Sequence, residues 1–132
     1  MAGRIAVYGG SFDPFHLGHL VPTVRAFETF GFEAVYFVPA GEPPHKLAEP
    51  LTPVTHRLAM VATATLHYEG FFASDAEVFT QGPSYTVDTV RRFAQRYDDK
   101  DLYFIMGSDS FSQIGTWERW KDLVDLAHLV VL

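Results

Sequence analysis

Short apolar runs that end in glycine or proline alternate along this chain with stretches of helical periodicity. The runs Ile5–Tyr8, Ala34–Val38 and Leu102–Met106 are rich in strand formers and contain no charged residue. Such continuous apolar runs are typical of strands buried on both faces of a parallel sheet. The alternation of strand and helix predicts an α/β fold, a doubly wound parallel sheet with right-handed crossovers.

Three helices and two further strands complete the predicted order. Apolar residues recur at helical spacing from Leu17 to Phe27, and Gly31 is a natural stop. Thr52-Pro53 is predicted to open a second helix, with Thr52 as the N-cap. A third helix follows Ser84 and Thr86, both candidate caps. The buried face of this third helix is predicted to consist of Val87, Val90, Phe93, Ala94 and Tyr97, and that of the second helix of Leu58, Val61, Ala62 and Thr65. The two further strands are predicted near Phe71-Phe72 and at His128–Leu132.

Length, charge and composition limit the class of protein. A chain of 132 residues has room for about one domain, expected over residues 1–132. The formal charge of −6 disfavours binding to a nucleic acid polymer or an anionic membrane. The sequence has no cysteine, no apolar run of membrane-spanning length and only a short apolar start, so we expect a cytoplasmic protein.

The loops after three predicted strands are expected to share one edge of the sheet. Parallel α/β sheets bind ligands outside the carboxyl ends of their strands. The segments 9–19, 39–46 and 107–117 all begin at such ends. We therefore expect the binding site to be assembled from these three remote segments.

Gly9-Gly10 stands between the first predicted strand and the first predicted helix. Two glycines let the backbone approach a ligand closely, and a helix N-terminus offers free N–H groups and the positive end of its dipole. The stretch has neither the Lys-Ser or Lys-Thr of a Walker loop nor the spacing of a G-x-G-x-x-G fingerprint. It therefore predicts a phosphate site of another kind.

His16 and His19 are three residues apart at the start of that helix, so their side chains project to the same side. Either ring can donate hydrogen bonds to phosphate oxygens, and a protonated ring adds positive charge. A lone histidine near a helix end more often caps or packs, but the pair behind a glycine turn favours phosphate contact. Without a third ligand nearby, the pair does not suit a transition metal.

The stretch from Gly10 to His19 resembles the G-x-F-D-P-x-H-x-G-H signature of the nucleotidyltransferase superfamily. Later motifs in the chain resemble those of the bacterial nicotinate mononucleotide adenylyltransferases, and they are Gly41–Lys46, Pro83–Thr89, Ile105–Ser110 and Thr116-Trp117. The resemblance covers nearly the whole chain. It implies a Rossmann-like nucleotidyltransferase fold and the transfer of AMP from ATP to nicotinate mononucleotide, giving deamido-NAD and pyrophosphate.

The resemblance also implies roles for individual residues. His16 and His19 would hold the ATP phosphates and stabilise the transferring group. The other ATP contacts implied are Gly9, Gly10, Ser11 and Phe12 through their backbone, Lys46 through its charge, and Gly107 and Asp109 at the nucleoside and ribose. The substrate contacts implied are His45, Tyr85, Thr86 and Trp117, with Trp117 stacked on the pyridine ring. Mg²⁺ would be bound to the triphosphate, with no dedicated metal cage in the protein.

Several of these residues have simpler interpretations. The Pro43–Lys46 tetrapeptide fits an exposed rigid turn, and Asp109 fits a helix cap. Either Trp117 or Trp120 fits a core anchor. Arg57 is expected to be a solvated surface residue of the second helix rather than a phosphate ligand.

One family motif has no counterpart in this sequence. The Ile-Ser-Ser-Thr-x-Ile-Arg type segment, whose hydroxyl and Arg grip the triphosphate, is absent from a chain that ends at Leu132, inside a predicted strand. We expect a C-terminally incomplete member of the family. The alternatives are a nucleotide-binding module without turnover and an adenylyltransferase for nicotinamide mononucleotide, and a homo-oligomer is left open.

Overall fold

The computed structural model describes residues 2–42 and 50–132. Strands and helices alternate along the chain, as the sequence pattern predicts. The elements in order are β1 Arg4–Gly10, α1 Leu17–Phe30, β2 Phe32–Pro39, α2 Val54–Thr65, β3 Phe71–Ala73, α3 Thr86–Arg96, β4 Asp101–Met106, α4 Ser108–Phe111, a 3₁₀ turn Ile114–Thr116, α5 Trp120–Leu126 and β5 His128–Val131.

The five strands form one parallel sheet in the order β3-β2-β1-β4-β5. The chain builds outward from β1 through β2 to β3 and then crosses back to place β4 on the other side of β1. This order confirms the predicted doubly wound sheet and puts its switch point between β1 and β4. Gly10 pairs with Pro39 and Tyr8 with Ile105, so the carboxyl ends of three strands lie side by side.

Each face of the sheet is covered by its own apolar cluster. In β1, Ala6 and Tyr8 belong to the cluster on one face, and Ile5 and Val7 belong to the cluster on the other. Helices α1 and α2 contribute to the first cluster, and α3 and α5 contribute to the second. Burial on both faces explains why the central strands read as continuous apolar runs.

The predicted end of α1 is confirmed, but the predicted caps of α2 and α3 are wrong. Gly31 adopts a left-handed conformation with φ 66° and donates its N–H to the Phe27 carbonyl. Pro53 rather than Thr52 is the N-cap of α2, with no side-chain cap, and the Thr52 amide donates to the Asp13 carboxylate. The N-cap of α3 is Tyr85, and no side chain caps that helix, so neither Ser84 nor Thr86 has the predicted role.

The predicted burial along α2 and α3 is confirmed in part. Val61 and Thr65 of α2, and Val87, Val90 and Phe93 of α3, are buried. In α2, however, Leu58 is only partly buried and Ala62 is exposed. The buried stripe of α2 therefore consists of Arg57, Val61 and Thr65, and it shares only Val61 and Thr65 with the predicted stripe.

Candidate functional site

The turn after β1 is held against aromatic side chains. A Cβ on Gly9 would lie 3.2 Å from the Phe104 ring, and one on Gly10 would lie 3.1 Å from the Phe12 ring. The Gly10 carbonyl accepts the Ala40 amide at 2.8 Å, which joins this turn to the end of β2. Close packing against these two rings thus gives both glycines a structural role.

Phe12 fixes the turn from inside the protein. Its side chain is only 1% exposed, and its backbone has a φ of 48°. The ring packs edge-on against Tyr8, Phe15 and His19 at centroid distances of 5.2 to 5.4 Å. Because the side chain is buried, Phe12 can meet a ligand only through its backbone, whereas Ser11 beside it is exposed.

The two histidines form a reciprocal cap at the start of α1. Nδ1 of His16, the N-cap residue, accepts the Gly18 amide at 3.0 Å, and Nδ1 of His19 accepts the His16 amide at 3.1 Å. Their ring centroids are 4.0 Å apart. Capping therefore describes what both Nδ1 atoms do, and it leaves the opposite edge of each ring available.

These hydrogen bonds define the tautomer of each ring in its neutral form. An Nδ1 that accepts a hydrogen bond carries no proton, so each neutral ring has its proton on Nε2 and is a donor there. Burial lowers the pKa of His19 below its usual value, and the neighbouring His16 lowers it further. His19 is thus an uncharged donor at neutral pH, and the added charge considered from the sequence is not needed.

Gly18 has a steric role in this arrangement. A Cβ on Gly18 would lie 2.8 Å from Cε1 and 2.9 Å from Nδ1 of His16. Any larger residue would push the His16 ring away from the Gly18 amide. The glycine between the histidines is therefore required by the cap.

A cavity of about 340 Å³ lies beside the N-terminus of α3. We call it the α3 cavity, and the residues that line it are Val38, Ala40, Glu42, Glu77, Ser84, Tyr85, Thr86, Thr116, Trp117 and Glu118. Three of the four residues expected to contact the second substrate, Tyr85, Thr86 and Trp117, are brought together here from separate segments. Trp117 is half-buried and packs edge-on against Phe104, so it is both a core contact and a cavity wall.

An ion pair holds the Trp117 segment against α3. Arg119 donates to the Asp88 carboxylate in the first turn of α3 at 2.7 Å. Arg119 has a φ of 50° and is the N-cap residue of α5. This left-handed turn ends the segment that contains Trp117, and the ion pair fixes it near Thr86.

Glu77 is a buried acidic residue that sequence reasoning missed. It is 9% exposed, its Oε1 accepts the Gly41 amide at 3.0 Å, and its Oε2 accepts the Thr89 hydroxyl at 2.8 Å. It therefore ties the loop after β2 to α3 at the wall of the α3 cavity. Gly41 fits tightly there, since its Cβ would lie 2.5 Å from the Glu77 carbonyl.

Arg57 was named from the sequence, but the expectation that it is solvated is wrong. It is 2% exposed, and its guanidinium donates to the carbonyls of Ser11 and Thr52. The one sequence feature that indicates its burial is its position, because Arg57, Val61 and Thr65 follow one another at intervals of four and so lie on the same face of α2. Burial lowers the pKa of Arg57, while Asp13 and Glu77 act in the opposite direction.

Gly107 and Asp109 follow β4 at the same edge of the sheet as the histidines. Gly107 is the N-cap residue of α4, and Asp109 is exposed in its first turn. No side chain caps α4, so the capping alternative for Asp109 is wrong. Neither residue lines the α3 cavity, while His45 and Lys46 lie outside the described residues.

The described residues contain neither a metal-binding cluster nor a membrane-spanning helix. In the ranges 2–42 and 50–132, no three His, Asp or Glu side chains gather at metal-binding distances. Nor do these ranges contain a helix with the length and apolar character needed to cross a membrane.

Comparison with known proteins agrees with this arrangement. The chain is 46% identical over 121 residues to the "Probable nicotinate-nucleotide adenylyltransferase" of Symbiobacterium thermophilum. The matched residues cover 92% of this chain and 58% of that protein. It is 41% identical over 128 residues to the protein of the same name from Thermomicrobium roseum, covering 97% and 60%. The chain thus spans about three fifths of the length of these curated relatives.

Solved structures and a family model also match this chain. The Plasmodium falciparum nicotinic acid mononucleotide adenylyltransferase complexed with NaAD matches with a TM-score of 0.81 at 22% identity, covering 98% of this chain and 63% of that one. At this identity the likeness shows the fold. A family model described as cytidylyltransferase-like matches residues 7–132. The chain therefore belongs to the cytidylyltransferase-like family.

Proposed function

We propose that this protein transfers the AMP group of ATP to nicotinate mononucleotide, forming deamido-NAD and pyrophosphate. The observation on which this depends most is the reciprocal cap, because it leaves two Nε2–H donors at the carboxyl end of β1. The α3 cavity begins one strand away, after β2. The names of the curated relatives support the same reaction.

The reaction needs few protein groups. The phosphate of nicotinate mononucleotide has a second pKa of about 6, so it is mostly ionised at neutral pH and needs no general base. One of its oxygens attacks the α-phosphorus of ATP, a new P–O bond forms, and the bond from the α-phosphorus to the bridging oxygen of pyrophosphate breaks. The protein aligns the two substrates and stabilises the charge on the transferring and leaving groups.

The ATP side of the site is assigned to the loops after β1 and β4. His16 and His19 donate from Nε2 to phosphate oxygens, and the backbone of residues 9–12 contacts the nucleotide. Gly107 and Asp109 contact the nucleoside and ribose, while Lys46, outside the described residues, adds positive charge. Mg²⁺ is bound to the triphosphate and arrives with the substrate.

The pyridine side is assigned to the α3 cavity. The first amides of a helix have no intrahelical acceptor, so the N-terminus of α3 at Tyr85 and Thr86 can receive a carboxylate. The Trp117 ring can stack on the pyridine. His45, also outside the described residues, is assigned a supporting contact. A carboxylate satisfies two N–H donors better than a carboxamide, whose NH₂ group is itself a donor, and this favours nicotinate over nicotinamide mononucleotide.

Pyrophosphate release tests this proposal. The protein is incubated with ATP, Mg²⁺ and nicotinate mononucleotide, and pyrophosphate and deamido-NAD are quantified. We expect pyrophosphate only with nicotinate mononucleotide present, and much less with nicotinamide mononucleotide. Equal rates with the two mononucleotides would reject the substrate assignment. Nucleotide binding without any pyrophosphate, measured on the full-length protein, would show a binding module instead of an enzyme.

A further inference from the structure

The buried guanidinium of Arg57 holds two loops together. Nη1 donates to the Ser11 carbonyl at 2.9 Å, and Nε donates to the Thr52 carbonyl at 2.6 Å. The amide of Thr52 donates in turn to Oδ2 of Asp13 at 2.8 Å. Arg57 and Asp13 therefore hold residue 52 from both sides and tie it to the turn after β1.

The hydrogen bond to Ser11 also orients a neighbouring amide. Within the described residues, only the Asp13-Pro14 bond is cis, so the Ser11-Phe12 peptide is trans. In a trans peptide the C=O and N–H groups point in opposite directions. Because the Ser11 carbonyl faces Arg57, the Phe12 N–H faces away from Arg57.

The left-handed backbone of Phe12 means that the surrounding residues must hold the Ser11-Phe12 peptide in this orientation. A φ of 48° is uncommon for a residue with a side chain and is retained only where the surroundings hold it. The buried Phe12 ring supplies one anchor, and the hydrogen bond to Arg57 supplies the other. A cation on the carbonyl also polarises the peptide and strengthens its N–H as a donor.

We propose that Arg57 is a positioning residue that aims the Phe12 amide at an ATP phosphate. The proposal rests on the proposed function, in which the backbone of residues 9–12 contacts ATP. Arg57 does not touch the nucleotide itself, since it is buried beneath the turn. Its effect is on nucleotide affinity through the orientation of one peptide.

The experiment compares R57K and R57Q with V61A as a matched control. Val61 is fully buried on the same helix and in the same apolar cluster as the Phe12 ring, but it makes neither of the hydrogen bonds of Arg57, so V61A measures what a loss of packing alone does to the turn. Binding of MgATP and of nicotinate mononucleotide is measured by calorimetry at a temperature where circular dichroism shows every variant folded. R57K keeps the charge but lacks the planar fork that reaches both carbonyls.

We expect R57Q to weaken MgATP binding about 10-fold to 100-fold and R57K to weaken it less, with nicotinate mononucleotide binding unchanged within about twofold. V61A should lower the melting temperature and leave both affinities unchanged. Wild-type MgATP affinity in R57Q, or equal weakening in R57Q and V61A, would overturn the proposal.

A second readout separates this proposal from the proposed function. If the wild-type protein binds no MgATP, the proposed function fails, and the Phe12 amide is then followed by NMR in protein labelled with ¹⁵N-phenylalanine. A displaced Phe12 resonance in R57Q but not in V61A supports the positioning role. An unchanged Phe12 resonance in R57Q overturns it.

Discussion

His16 and His19 each use Nδ1 to hold the backbone of α1, with their ring centroids 4.0 Å apart. This pairing combines the two roles that the sequence presented as alternatives. Capping uses Nδ1 of each ring as an acceptor, so that the proton of the neutral ring lies on Nε2. The motif therefore yields a rigid pair of rings with Nε2 free to donate, which is well suited to phosphate oxygens.

Replacing His19 by alanine should lower turnover by roughly 10² to 10³, the cost of one preorganised donor. Steady-state pyrophosphate release with saturating substrates measures this. The control is H67A, because His67 is an exposed histidine in the turn after α2 and away from the site. Near-normal deamido-NAD synthesis by H19A would contradict the assignment.

Replacing Gly18 by alanine should weaken MgATP binding about tenfold, although alanine favours helices over glycine by about 1 kcal/mol. The new Cβ would lie 2.8 Å from the His16 ring and displace it from its cap. A double-mutant cycle with H16A measures the coupling between the two sites. G18A should have no further effect on affinity in the H16A background, and an equal loss in both backgrounds would show a different cause.

Acid should destabilise the protein through His19. The folded state lowers the pKa of His19 from its usual 6.5, so the unfolded chain binds the proton more readily. The contribution of the neutral His19 ring to stability is therefore complete above pH 6.5 and is lost as the pH falls below 6.5. Melting temperatures between about pH 8 and pH 5 measure this effect. H19Q keeps an acceptor for the His16 amide but does not titrate, so its melting temperature should fall less steeply. Parallel curves for the two proteins would argue against this role.

Replacing Glu77 by alanine should lower the free energy of unfolding by about 2–3 kcal/mol, because it leaves the Gly41 amide and the Thr89 hydroxyl without their acceptor. E77Q keeps an oxygen for Gly41 and should lose less than half as much. Urea denaturation measures both variants. Equal losses would mean that the carboxylate charge, rather than the pair of hydrogen bonds, stabilises this loop.

The fold was largely predictable because its signals are local. Strand burial on both faces appears directly as continuous apolar runs, and Gly31 ends α1 where the helical periodicity stops. The caps of α2 and α3 were not predictable from residue type, because each N-cap lies one residue away from the residues that the sequence favours. The Thr52 amide bonds instead to Asp13, 39 residues away. The residue types of a cap motif do not exclude such long-range partners.

The candidate site was predictable for the residues that form motifs, but the burial of the supporting residues was not. Tyr85, Thr86 and Trp117 were expected together and line one cavity. Arg57 was expected to be solvated, and Glu77 was missed, because a charged residue is normally exposed. Their burial depends on backbone groups 46 and 36 residues away, and the sequence gives no sign of those contacts.

The most direct test of the phosphate site is the protonation of the two histidine rings, observed by ¹⁵N-detected NMR of histidine side chains with and without MgATP. We predict that His16 and His19 both have the proton on Nε2 at neutral pH, and that MgATP shifts both Nε2 signals. Protons on Nδ1, or bound MgATP that leaves both Nε2 signals unchanged, would contradict the account.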